Sequence, residues 1–115
     1  MKRDMDIIRR LLLRAEAAPD GQLSIHDALE TYHVRLMIDA GLVDGRISEE
    51  ITTGAPRHSY IHALTWAGHD FLDAARDETL WKKAKQHVIK PGASFTFELL
   101  KEWLKAEIRA RFGAG

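Results

Sequence analysis

The sequence predicts an α+β, mostly helical chain, and three observations carry that expectation. Apolar residues recur every three or four positions through several stretches, the period of helices with one buried face. Between them lie short segments of alternating or β-branched residues bounded by Gly and Pro, which read as strands and turns. Cysteine is absent from the 115 residues, so neither disulfides nor thiolate-bound metal can supply the stability. A chain of this length suits one domain, because two independent cores of half the size would each be marginal.

The elements follow in order. Met5, Ile8, Leu12 and Ala15 form one helical stripe with Leu11 beside it, Asp4 stands at the N-cap position, and Asp6 suits the positive end of the helix dipole. Pro19, Asp20 and Gly21 make a turn, and Leu23-Ser24-Ile25 alternates as a short strand. A second helix is expected from Asp27 to Ala40, with Leu29, Tyr32, Leu36 and Ala40 as its stripe and Val34, Met37 and Ile38 widening the buried side. Gly41 is a natural stop, since the residue after a helix often adopts positive φ. Leu42 and Val43 enter a strand. A hairpin then places Ile47 and Ile51 on one strand and Tyr60 and Ile61 on the next, with its tip at 53–56 and a turn or bulge at Asp44-Gly45. Thr65 can cap a third helix through Trp66, Phe71, Leu72 and Ala75, and Leu80, Trp81, Ala84 and Val88 belong either to its continuation or to a helix that bends at Asp77. Pro91-Gly92 breaks the chain, and a last helix from Thr96 carries Phe97, Leu100, Leu104 and Ile108, with Trp103 alongside.

Helix, short strand, helix, two-stranded wing and helix is the order of a winged-helix domain. We therefore expect a single domain over 1–115, with a degenerate winged-helix core at 1–77 and a C-terminal helical extension, 78–115, packed on it. The core is degenerate because a full helix-turn-helix needs another helix ahead of the recognition helix. The ten residues 17–26 hold a Pro, a Gly and a strand instead.

Particular residues also carry a family resemblance. The opening M-K-R-D-M-D-I-I-R, the segment Y-H-V-R-L-M-I-D-A-G-L-V and the segment L-T-W-A-G-H-D-F-L-D-A-A-R-D, with the later W-K-K-A-K and F-x-F-E-L-L-K-E, span nearly the whole chain. In these pieces the chain resembles domain-of-unknown-function family 2513, a winged-helix-like, YjcQ-like group of short bacterial and prophage proteins. The resemblance implies a mobile-element origin and brings no catalytic residues with it. The stretch from Pro19 to His26 is shorter than in that family's usual pattern, which puts an intact helix-turn-helix in doubt.

Formal charge is zero, with 17 basic and 17 acidic residues, but it is unevenly spread. Residues 1–14 hold five bases against two acids, a balance of +3; residues 15–56 hold two bases against eight acids, −6; residues 57–115 hold ten against seven, +3. The would-be recognition helix thus presents Asp27, Glu30 and Asp39 against Arg35, and the wing adds Glu49 and Glu50 to Arg46 and Arg57. Duplex DNA is bound through several Lys or Arg contacts that release counterions, so a reading face of this sign would be repelled. The expected function is protein–protein contact through the acidic face of Glu30, His33, Arg35, Asp39, Glu49 and Glu50, suited to a basic partner protein. The alternative is a DNA-binding regulator using Lys82, Lys83, Lys85 and Lys90 near Trp81 and His87, joined by Arg3, Arg10 and Arg14. A helix face of this kind is also what an ordinary solvated surface looks like.

The remaining chemistry is sparse. His58 and His62, four apart on a strand, stand roughly 13 Å apart, too far to share an ion. His69 and Asp73 share a helix face but lack a third ligand, and His69 is expected to pack or cap the third helix instead; His26 and His33 show no partners in sequence. No metal or cofactor is expected. No nucleophile elbow, phosphate-binding loop or dinucleotide fingerprint is present; the run from Lys90 to Ser94 lacks the spacing, and Glu49 and Glu50 point to opposite faces of a strand. These absences argue against an enzyme. Leu11-Leu12-Leu13 is too short for a signal core or a membrane span, so a cytoplasmic protein without membrane contact is expected. Trp66 and Phe71 are assigned to the core beneath the wing. Trp81, Phe97 and Trp103 are assigned to packing of the extension, with Trp103 and Leu104 as the possible seam of a homodimer.

Overall fold

The computed structural model describes residues 1–49, 52, 56–89 and 96–111, with only the backbone at 56 and 57. Glu50, Ile51, the expected hairpin tip and the stretch 90–95, with Lys90 and the Pro91-Gly92 break, lie outside the described residues. The fold is α+β, and the described residues form five helices and a three-stranded antiparallel sheet in winged-helix-like order. Contacts divide it into two compact units, Met1–Asp70 and Phe71–Gly115.

In the first unit, α1 (Met5–Ala17) begins where the Asp4 carboxylate accepts the Asp6 N–H at 2.9 Å. It buries Met5, Ile7, Ile8, Leu11, Leu12 and Ala15, the expected stripe with Ile7 added. A single 3₁₀ turn, Pro19–Gly21, holds Asp20 at φ 57° and leads to β1 (Leu23–Ile25). Only one helix then follows before the wing: α2 (Ala28–Asp39), capped by Asp27, whose carboxylate accepts the Glu30 N–H at 2.8 Å. Its end is a Schellman arrangement, in which Gly41 at φ 75° lets its own N–H reach Ile38 O and the Leu42 N–H reach Met37 O.

The buried face of α2 differs from the expected stripe. Thr31, His33, Val34 and Met37 face inward, while Leu29 is 41% exposed, Tyr32 and Leu36 are half-buried and Ala40 is exposed. The reason is that the polar pair on this face is fully satisfied, which removes the usual cost of burial. The Thr31 hydroxyl meets Ser59 Oγ at 3.1 Å. The ring of His33, which lacked partners in sequence, accepts the Asp4 N–H on Nε2 at 2.8 Å and therefore donates from Nδ1 to Leu29 O, also at 2.8 Å. The imidazole is thus held as the neutral Nδ1–H tautomer, tying the start of α1 to α2.

β2 (Val43–Glu49) and β3 (Pro56–Leu64) form the wing, and β3 is central in the order β1-β3-β2. Ser59 and Ile61 point inward under α1 and α2, both of which pack on this strand. The register slips between Asp44 and Gly45, as expected there, leaving His62 as the extra residue of a bulge.

Helix α3 (Trp66–Ala75) is anchored at Thr65, whose hydroxyl accepts the Gly68 N–H at 3.0 Å and donates to Gly41 O at 2.6 Å. Gly68 lies so close to the Leu42 backbone that a Cβ there would stand 2.0 Å from its carbonyl oxygen. Trp66 lies two residues before Gly68, about 200° around the helix, on the opposite side. It is 90% exposed, which overturns its assignment to the core. His69 is likewise exposed and packs nothing at the start of α3, where Thr65 supplies the cap.

The second unit opens at Phe71, whose ring lies 4.7 Å from Phe97 and 6.4 Å from Trp81, so this buried ring belongs with the C-terminal helices rather than beneath the wing. Residues 66–89 are two helices and a wide turn. The chain breaks at Arg76, Asp77 caps α4 (Glu78–Ala84), and one π turn, Lys85–Ile89, follows. Thr96 caps α5 (Phe97–Arg111) through the Leu99 N–H at 3.0 Å, and α5 packs on α4 with Leu100 and Leu104 fully buried.

Two outcomes follow from these caps and contacts. Gly68→Ala forces the Leu42 backbone to move, and its unfolding free energy falls by roughly 2–3 kcal/mol in urea titration. The Leu80 N–H and then the Arg111 guanidinium, 2.8 Å away, hold the Asp77 carboxyl below the usual carboxylate range. A lowered folded value stabilises above the ordinary carboxylate pKa and is lost as pH falls through the folded one. Asn caps nearly as well but does not titrate, so Asp77→Asn retains helix α4 and shows a shallower loss of stability between neutral pH and pH ~3.

Candidate functional site

The expected acidic surface resolves into internal pairs. Glu30 Oε2 lies 2.8 Å from Arg14 and 3.5 Å from Arg10, and its side chain is 17% exposed. Arg35 binds Glu49 across from α2 to β2. His33 is fully buried and offers no surface to a partner. Of the six residues proposed for this face, Asp39 is exposed at the end of α2 and Glu50 lies outside the described residues. The −6 balance of residues 15–56 is therefore partly offset, because Arg10 and Arg14 of the first helix pair with Glu30 and Arg35 pairs with Glu49, while Asp20, Asp27, Asp39 and Asp44 stay exposed.

The same pairs thin the basic set. Arg10 and Arg14 are engaged by Glu30, and Arg3 is exposed beside the start of α1. In the second unit Lys82, Lys85 and Gln86 line one hollow with Ile89, as their spacing predicts, and Lys82 and Lys83 are exposed. Lys90 lies outside the described residues. Trp81 is 3% exposed and cannot stack on a nucleic acid, while His87 stacks on Trp103 at 6.1 Å within the unit. Leu104 is fully buried and Trp103 half-buried, so Leu104 cannot seal a dimer from the surface.

Two surfaces emerge that the periodicity did not single out. The first is the outer side of α2, where Leu29, Tyr32 and Leu36 are partly exposed among Arg35 and Asp39. Thr65 is hydrogen-bonded to Gly41 just after this helix, and the next residue, Trp66, stands almost bare. Sequence gave a signal here, since a helix with a broad apolar band can bury one side of it and still expose the other. The second is the outer face of the sheet. Tyr60 and His62 meet edge to face at 4.7 Å, and His58 lies 5.7 Å from His26. A shallow hollow of about 310 Å³ on this face is lined by Arg46, Ser48, His58, Ser59, Tyr60 and His62. Among the described residues no group of three or more His, Asp or Glu is placed to hold a metal.

The strand order, the single helix between β1 and the wing and the inward face of β3 define a winged-helix-like protein. A family model described as "Hypothetical protein (DUF2513)" matches residues 2–94, and the chain belongs to that family. An uncharacterized protein of Haemophilus influenzae is 27% identical over 110 residues, covering 89% of this chain and 91% of that protein. No solved structure matches the chain. No helix among the described residues is long and apolar enough to cross a membrane.

The ion pairs set the expected response to Glu30→Gln. Because the pairs are near the surface, the variant loses about 1 kcal/mol or less in urea titration at low salt, and the difference shrinks at high salt as the pairs are screened.

Proposed function

We propose that this protein is a non-enzymatic accessory protein that acts by protein–protein contact, on the mobile-element pattern the family resemblance implies. The observation that carries the reading is Trp66, 90% exposed at the start of α3, taken with the partly exposed Leu29, Tyr32 and Leu36 of α2. A bare tryptophan and a partly exposed apolar helix side are the composition of interface anchors, where aromatic residues dominate binding energy. Arg35 and Asp39 supply the polar rim. In a DNA-reading winged helix the same position would need Lys and Arg reaching toward phosphate; here Arg35 is engaged by Glu49. On this reading the contact involves the outer side of α2, and its weight lies on the apolar residues rather than the carboxylates.

A second reading, a DNA-binding regulator, is favoured by the charge of the second unit, where nine bases against six acids give +3, and by Lys82, Lys83 and Lys85 on α4 and the π turn. Two measurements separate them. A photo-crosslinking amino acid placed at position 66 or 36, in cells that make the protein, is expected to capture the same protein band from both sites. Leu29→Asp should abolish that band; no shared band would overturn the contact reading. Gel shifts with duplex DNA across a salt series should show no complex at low salt. A complex whose log affinity falls against log salt with slope near −3, about 0.9 for each of three lysine contacts, would establish the regulator.

A further inference from the structure

Strand β3 alternates, and its outward residues are chemically unlike the rest of the surface. Tyr60 and His62 offer two rings inclined at 69°, Arg46 on β2 is the direct register partner of Tyr60, and Ser48 is that of His58. The hollow they line carries one guanidinium, two imidazoles, a phenol and the Ser48 hydroxyl, and among the described residues no carboxylate lines it. Tyr60 is further fixed by its hydroxyl, which donates to Gln22 next to β1, so its ring is held in place before any ligand arrives. A volume near 310 Å³ is at the small end of ligand sites.

We infer that this outer sheet face is a binding site for a nucleoside phosphate. The base stacks on the ring of Tyr60 against His62, and the phosphate is met by Arg46 with the Ser48 hydroxyl and the His58 imidazole. Stacking suits this face because every base presents a π surface to a fixed aromatic ring. Arg46 suits the phosphate because its planar fork matches two oxygens at once. The hollow is open along the strands, so the nucleotide can be free or one unit of a single strand. The site is separate from the α2 side, and it stands or falls independently of the contact reading above.

The test is titration of the isotopically labelled protein, followed by backbone amide NMR, with adenosine monophosphate, adenosine and a single-stranded adenine heptamer. Adenosine monophosphate should shift the amides of β2 and β3 around Arg46, His58 and Tyr60 with sub-millimolar affinity, and adenosine should bind more weakly. Tyr60→Ala should weaken binding about tenfold or more, whereas Tyr60→Phe, which keeps the ring and loses only the Gln22 bond, should stay within about twofold. Arg46→Gln should erase the preference for the monophosphate over adenosine. Binding of the heptamer alone, with the same variant pattern, assigns the nucleotide to a single strand. None of the three ligands moving these amides, or binding that ignores both Tyr60→Ala and Arg46→Gln, overturns the site. All three substitutions lie on the outer face, so the unchanged remainder of each spectrum reports an intact fold.

Discussion

The alternation of β3 is the constraint on which the first unit depends. Ser59 and Ile61 must point toward α1 and α2, because Ile61 supplies apolar burial and the Ser59 hydroxyl satisfies Thr31. A strand has a side-chain period of two, so this choice sends His58 and Tyr60 outward without further freedom. A slip of one residue would bury an imidazole and a phenol beneath two helices and expose Ile61 to water. The bulge between Asp44 and Gly45 then turns His62 against Tyr60. One register thus determines both the core and the chemistry of the opposite face.

A second consequence is the partial neutralisation of the acidic segment. Charge counted along a chain assigns each carboxylate to solvent, but α1 packs beside α2 and brings Arg10 and Arg14 within reach of Glu30. Such pairs contribute little to stability each, yet they cancel the local field that would repel a phosphate or attract a basic partner. The outer side of α2 is left with a mixed, largely apolar character, and that character rather than net charge directs the functional reading.

The departure from a complete winged helix has a comparable local origin. Between α1 and α2 the chain has room for a 3₁₀ turn and a three-residue strand and nothing longer. Thr65 and Gly68 close the end of this unit on Gly41 and Leu42, where only a residue without Cβ allows the backbones to approach so closely.

Much of this architecture was legible in the residues alone. The caps at Asp4 and Thr65 and the stop at Gly41 are local rules, written by side chains that bond their own neighbouring backbone or by a residue tolerant of positive φ. The order of elements followed from them, and with it the winged-helix-like class. The buried face of α2 was not legible, because Thr31 and His33 count as polar until Ser59 and Asp4 are brought to them. The fates of Trp66, Glu30 and Leu104 were equally closed to the sequence, since exposure and ion pairing are properties of distance between segments far apart in the chain. Local chemistry named the elements; only their packing decided which faces were left to meet another molecule.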